Sequence, residues 1–391
     1  MRIKQLGIPL QKILYLAAVG IVMAQVLSLG SVASLLFLAA MALTLVQWLV
    51  GAVERLSQVD LLLIVLLILA LAHVLVRTVA AGVSPSFDYF KKYLMFACTL
   101  VYFASMGKLR CDRETEQFMR RGNTVLALFL IVMYFLRNRA VHMMNGVDTN
   151  YLTFCFSNPN ITGLFITCIA MMEFFSMGKA EKLGGKLFHG ALFAVMTWFV
   201  YETRSRNSLL AVILLVVLYC WYGLRKNRNF RIGKLVCAAV AIVPLPFALI
   251  YLAVVNNSVI RRLFSFMISE GKDLSSRYSM WIGALEKFMS SPILGAYDQV
   301  SSLQMHNSHL DTMTSYGLLV MLLLCVYLYL LMAQPGSRPV NQSQKLYLLG
   351  FMAAILTGIG ETAIFFGGLG IYLFVGNFLL LANQQYPEET V

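Results

Sequence analysis

The chain has 391 residues, 59% hydrophobic and 13% charged, with a net charge of +13 and a mean hydropathy of +0.75. Soluble domains carry about 25% charged residues, so these values exclude an ordinary soluble protein. They also turn the basic balance away from nucleic acid and toward retention of cationic loops on the cytoplasmic side of a membrane.

Residues 13–53 contain no Asp, Glu, Lys or Arg, a run of 41. A bilayer-crossing helix needs about 20 apolar residues, so the run fits two spans joined at Ser28-Leu29-Gly30-Ser31. No A-x-A-like site separates this block from a soluble remainder, so it reads as retained spans rather than a cleaved leader. Hydropathy places twelve spans in all, near 10–28, 31–50, 59–76, 91–107, 122–138, 160–178, 187–203, 207–224, 235–255, 309–333, 346–361 and 367–383. The expected fold is all-α, a polytopic membrane protein of about 12 transmembrane helices. The expected organisation is spans one to nine in 1–255, a large external loop at 256–308, and spans ten to twelve with a cytoplasmic tail in 309–391.

With the N-terminus inside, 19 of the 31 Lys and Arg fall on the cytoplasmic side and 12 outside, while the acids divide nine and nine. The inner side then carries +10 and the outer +3, which follows the positive-inside rule. Both termini are thus expected in the cytoplasm, and the 256–308 loop on the outer face of the cytoplasmic (inner) membrane. Within it, Tyr278, Trp281, Ile282, Leu285 and Phe288 form an amphipathic helical stripe, and Val259, Ile260, Leu263, Phe264 and Met267 a shorter one. Aromatic-rich helices of this kind lie along the interface or cap a cavity. Pro292 is expected to end the longer helix.

The seven cysteines (98, 111, 155, 168, 220, 237 and 325) include no CxxC pair, and buried unpaired thiols are the expected state. No DxD, HExxH or EF-hand pattern occurs, and no metal or other cofactor is expected.

Eight of the twelve external cations are Arg: 77, 137, 139, 204, 206, 261, 262 and 277. Arginine binds phosphate bidentately, so arginines held outside suggest an anionic ligand arriving there, such as a lipid-linked diphosphate. Arg204-Ser205-Arg206-Asn207 is the sharpest case, a polar break between two spans with no room for a loop. The competing readings are snorkelling to headgroups and pairing with Glu202. The external loop ends in Met305-His306-Asn307-Ser308-His309, which puts an imidazole at a membrane boundary. His306 is either a proton acceptor near neutral pH or a hydrogen-bonded surface residue. Asn307, His309 and Asp311 follow it at the head of the next helix, where they can cap that helix or orient the imidazole. Glu361, between Gly360 and Thr362 at the outer end of span eleven, can pair with an arginine, accept a sugar hydroxyl or cap a helix.

Taken in order, Asn158-Pro159-Asn160 with Gly163, Thr203-Arg204-Ser205-Arg206, Ser276-Arg277 with Trp281, Ser291-Pro292-Ile293-Leu294-Gly295, and His306-Asn307 with Gly317 resemble the O-antigen ligase and polysaccharide polymerase superfamily. The resemblance covers motifs over about residues 150–330 and elsewhere hydropathy alone. It implies a GT-C-like membrane glycosyltransferase that moves glycan from an undecaprenyl-diphosphate-linked oligosaccharide donor to a saccharide acceptor, either a lipid-linked glycan or lipid A-core. By that resemblance Arg204, Arg206 and Arg277 hold the diphosphate and His306 is the catalytic base. Asn307, His309, Asp311 and Glu361 orient the base or bind the acceptor. Direct displacement then inverts the anomeric centre without a metal, in the company of a polysaccharide chain-length regulator or a flippase.

Two positions depart from the ligase pattern. Val320 stands where ligases carry a small or hydroxyl-bearing residue, and Ser205-Arg206-Asn207 replaces their Ser-Arg-Gly. Both turn the expectation toward a repeat-unit polymerase, with ligase and protein O-oligosaccharyltransferase as alternatives. A transporter or flippase would show paired repeats or matching broken spans in its two halves, and the sequence has neither.

Overall fold

The structure, a computed structural model, describes residues 10–54, 56–84, 86–136, 142–144, 147–148, 150–154, 156, 158–224, 272–301, 307–336, 342–357, 365 and 370–384. Eight helices come first: α1 (Leu10–Val26), α2 (Gly30–Glu54), α3 (Gln58–Ala80), α4 (Phe87–Lys108), α5 (Arg113–Leu136), α6 (Pro159–Lys179), α7 (Leu183–Glu202) and α8 (Arg206–Leu224). Then follow α9 (Lys272–Ser290), the one-turn α10 (Tyr297–Val300), α11 (Ser308–Gly336), α12 (Gln342–Thr357) and α13 (Ile371–Ala382). Between α5 and α6, β1 (Met143–Met144) and β2 (Val147–Asp148) form a small antiparallel hairpin. Six of the described helices are long and apolar enough to cross a membrane, and four more are shorter apolar helices. The chain is a polytopic, helical membrane protein. The expected ninth span (235–255) and the shorter amphipathic stripe (259–267) lie outside the described residues.

Helix starts follow capping chemistry. Ser57 and Asp60 form a reciprocal capping box at the head of α3, and the Asn158 side chain accepts from the Asn160 amide with Pro159 at the first turn of α6. The α5 helix begins at Arg113, several residues before the span expected at 122–138. Asp112 accepts the Thr115 N–H at 2.6 Å there, and the polar first turns are helix rather than loop, with Thr115 and Glu116 turned inward while Arg113, Glu114 and Gln117 stay exposed. Buried Glu116 pairs with Lys179 and accepts the Tyr347 hydroxyl at 2.6 Å. Further along, Asn123 and Thr124 donate to the buried Glu173 of α6 at 2.8 and 3.0 Å, and His189 Nδ1 lies 2.7 Å from its other oxygen. A carboxyl in the apolar interior thus has partners on every side, without which its burial would cost several kcal/mol.

Packing fixes which helix ends share a side. Gly163 lies against Ser205 and Ser208 while Gly178 lies near Tyr219, so α6 and α8 run parallel. The Phe175 ring meets Tyr347, so α12 begins beside the C-terminal part of α6 and runs antiparallel to it. One end of the bundle, the far end, gathers the pairs Lys12–Glu114, Lys108–Asp60 and Lys179–Glu116. Asn383 also donates there to the Leu109 carbonyl at 2.8 Å. The opposite end gathers the head of α11, the turn before α8 and the head of α6. It is called the motif end below. α6 buries nearly its whole length, whereas α2 and α7 expose most of theirs. α13 is buried from Tyr372 to Ala382 and packs on α1, α4, α6, α11 and α12.

At the far end Asp60 is fully buried and accepts from Trp48 Nε1 (2.9 Å) and the Ser57 amide (2.8 Å) beside its pair with Lys108. Breaking a buried pair costs about 3–5 kcal/mol, and Lys108 keeps some access to water, so Asp60→Ala is expected to cost about 3 kcal/mol. Denaturant unfolding in detergent checks this. An unchanged midpoint would show that the pair does not hold that end together.

Candidate functional site

The head of α11 is the most polar buried stretch of the motif end. Asn307 caps it: its side-chain oxygen accepts the amides of His309 (3.1 Å) and Leu310 (2.8 Å), which is why the helix starts at Ser308. Every residue from Asn307 to Gly317 is buried, including Ser308, His309, Asp311, Thr312, Thr314 and Ser315. The His309 ring sits edge-on to Phe365 at 5.9 Å, with the Ile355 carbonyl facing it. Neither ring nitrogen completes a hydrogen bond among the described residues, nor does the Asn307 amide nitrogen.

The helix breaks at Gly317, whose φ of 85° and ψ of 172° suit glycine almost alone. Irregular backbone at membrane depth survives only where protein or a cavity satisfies it. Here the segment Ser291–Gly295 does so. The Leu318 amide donates to the Pro292 carbonyl at 2.8 Å, and the Ala296 amide donates to the Thr314 carbonyl at 2.7 Å. Gly295 itself has φ 73°, and a Cβ on it would come 2.5 Å from the Ser315 carbonyl oxygen. Two sequence motifs that stand more than twenty residues apart are therefore one interlocked piece of backbone.

Beside this splint lies α9, ending at Ser290 just before Pro292 as expected. Leu285 and Phe288 of its apolar stripe are buried together with Ala284, and Trp281 is half-buried, on a helix that packs against α11. Arg277 lies in the first half of α9. α10 is held by the α3–α4 hairpin. The Tyr297 hydroxyl donates to the Tyr89 carbonyl at 2.6 Å and accepts from the Tyr93 amide at 3.2 Å. Burial pushes that phenol well above its ordinary pKa, which keeps the proton it donates. Arg77, one of the arginines expected on the outer side, pairs with Asp298 at 2.7 Å and so already has a partner within the protein. Asp311 forms an ion pair with Lys92, and His73 Nδ1 contacts the Tyr316 carbonyl at 2.6 Å. Lys92, His73 and Tyr297 were not among the expected site residues. A signal for Lys92 was present: a lysine inside the first turns of an apolar span implies a partner, because burying it alone costs several kcal/mol.

The second cluster is the turn between α7 and α8. Ser205 and Ser208 hydroxyls lie 2.8 Å apart, and the Ser205 amide donates to Thr203 Oγ1 at 3.2 Å. A Cβ on Gly163 would come 2.7 Å from Ser205 Cβ and Ser208 Oγ, so the head of α6 touches this turn only because residue 163 is glycine. Arg204 occupies the left-handed region (φ 54°), with its guanidinium 5.4 Å above the exposed Tyr151 ring. Both Arg204 and Arg206 are exposed, and among the described residues neither forms an ion pair, with Glu202 or otherwise. Pairing with Glu202 is thereby set aside.

Of the expected site residues, Asn307, His309 and Asp311 come together at the head of α11, and Arg204 and Arg206 stand on the second cluster at the same end. The link between clusters is α12, which packs on α8 and brings Ile355 to His309. His306 and Glu361 lie outside the described residues, as do Arg137, Arg139, Arg261 and Arg262. Among the described residues no group of three His, Cys, Asp or Glu could hold a metal ion. No disulfide joins the described cysteines; Cys111 and Cys168 are buried as expected, but Cys98 and Cys325 are half-buried and Cys220 is exposed. No family model and no curated protein matches the chain.

Proposed function

We propose that this chain is a membrane glycosyltransferase of the O-antigen polymerase type. It takes glycan from undecaprenyl diphosphate and adds it to a saccharide acceptor at the motif end, which faces outward from the cytoplasmic membrane. One observation carries the reading. The motif segments of the resemblance are scattered over 160 residues, yet four of the five dock in two pairs at one end of an apolar bundle: Gly163 on the 203–208 turn, and Pro292–Gly295 on Gly317. Exposed, unpaired guanidiniums at that end suit an anionic headgroup.

In this reading the acceptor hydroxyl attacks the anomeric carbon as the bond from that carbon to the diphosphate oxygen breaks. The hydroxyl proton passes to His306, and undecaprenyl diphosphate leaves with the bonding electron pair. Arg204, Arg206 and Arg277 offset the charge that grows on the leaving group, the stage at which electrostatic help is greatest. Asn307 Oδ1 is engaged by the helix cap, and its amide nitrogen, which has no hydrogen bond among the described residues, is the group to meet an imidazole or a sugar oxygen. Asp311 is engaged by Lys92 and acts on the site only indirectly. The polymerase form is preferred over the ligase form because Val320 and Asn207 depart from the ligase pattern.

The test is a deletion strain and its glycan ladder. A single repeat unit left on the acceptor, restored to polymer by the wild-type gene, is the expected result. Full-length polymer stranded on the lipid carrier would assign the ligase reaction instead, and an unaltered glycan would overturn the reading.

A further inference from the structure

Lys92 does more than neutralise Asp311. Its ammonium also donates to the Val300 carbonyl at 2.8 Å, the last residue of α10. Val300 and Asp311 flank the connection between α10 and α11, and His306 falls within that connection by sequence. An ammonium has three donors on one nitrogen and so can fix two acceptors at a set separation. The neighbouring contacts act in the same sense, with Tyr297 held by α4 and Asp298 by Arg77 of α3. Lys92 is nearly fully buried, whereas its neighbour Lys91 is exposed.

We infer that Lys92 is a clasp that ties the end of α10 to the first turn of α11, and by that tie is a positioning residue for the chemistry. The second half of this inference rests on the function proposed above. The clasp itself does not. A buried pair that serves only stability can be exchanged for apolar residues of similar size at little cost. A clasp so exchanged regains stability but not its tie, because the bond to Val300 is lost as well.

The experiment compares wild type, Lys92→Met, the double variant Lys92→Met with Asp311→Leu, and Lys91→Met as control. Hydrogen exchange of peptides spanning 301–311 and thermal unfolding are measured on detergent-purified protein, and polymer is measured in the deletion host at matched protein level. Lys92→Met is expected to speed exchange over 301–311 and lower polymer on the order of 100-fold, the scale of a misplaced catalytic group. The double variant is expected to recover thermal stability while exchange stays fast and polymer stays low. Lys91→Met should behave as wild type. Unchanged exchange in Lys92→Met would overturn the clasp, and polymer recovering together with stability in the double variant would reduce Lys92 to a structural role. If the wild-type gene restores no polymer, the glycosyltransferase reading and the positioning role fall together, while the exchange data still decide the clasp.

Discussion

Gly317→Ala is expected to leave little folded protein in the membrane. At φ 85° and ψ 172° an alanine sits in a region that only glycine populates freely, and its Cβ would overlap the Ile293 carbonyl oxygen. Backbone strain of this kind costs about 1–3 kcal/mol, and the overlap forces the 291–295 splint off the helix break, so a total of about 3 kcal/mol or more is expected. Displacing the splint also breaks the bonds of the Leu318 amide and of the buried Thr314 carbonyl, and the latter adds a desolvation cost. Gly295→Ala would press on the Ser315 carbonyl oxygen (2.5 Å) and the Gly317 nitrogen (2.7 Å) from the other side of the same joint, and should be nearly as severe. Gly283→Ala, where a Cβ meets nothing within 4 Å, is the control expected to fold normally. Expression and thermal unfolding of the three variants measure the effect. Wild-type behaviour of Gly317→Ala would show that the break is not an obligate feature.

Removing the proposed base or the proposed anion-binding arginines should have the opposite profile, with activity lost and fold kept. His306→Ala is expected to lower polymer by about 10²–10⁴-fold, the usual contribution of a general base. Arg206→Ala should cost about 10²–10³-fold, the scale for removing one donor from a developing charge. Arg206 is exposed at the start of α8 with no ion pair among the described residues, so its loss should leave the unfolding temperature where it was. Arg204→Lys separates charge from geometry. It keeps the cation but loses the planar fork, and a bidentate role predicts a loss close to that of alanine. Near-wild-type polymer in His306→Ala or Arg206→Ala, at equal protein levels, would remove that residue from the mechanism.

The helices of this chain were legible because apolar length is a strong signal. Expected spans at 31–50, 160–178 and 207–224 agree with α2, α6 and α8 to within a few residues at each end. The start of α5 was not legible, because Glu114, Glu116 and Arg120 look like a loop until Lys179, Tyr347 and Ser176 are seen to receive two of them. Local polarity cannot report a partner sixty residues away. The same limit hid Lys92, whose two acceptors lie more than two hundred positions along the chain. Arg77 was read with the external arginines as one of a class, and only the fold shows Asp298 beside it. The 291–295 and 317 motifs were visible separately, but their union depends on backbone hydrogen bonds that leave no mark in residue types.

α13 carries a consequence for biogenesis. It follows in the chain every helix that it touches, and from Tyr372 to Ala382 it meets protein on all sides instead of lipid. The earlier helices must therefore wait in the bilayer with an open groove, floored in part by Tyr102 and Phe103, until the ribosome delivers this segment. During that interval the groove is a recognition surface for membrane proteases and insertase chaperones. Closure of the bundle by α13 is then the step that takes the groove out of reach, and a chain cut short before Ile371 is expected to be degraded faster than the full chain, which a pulse-chase in the membrane fraction measures.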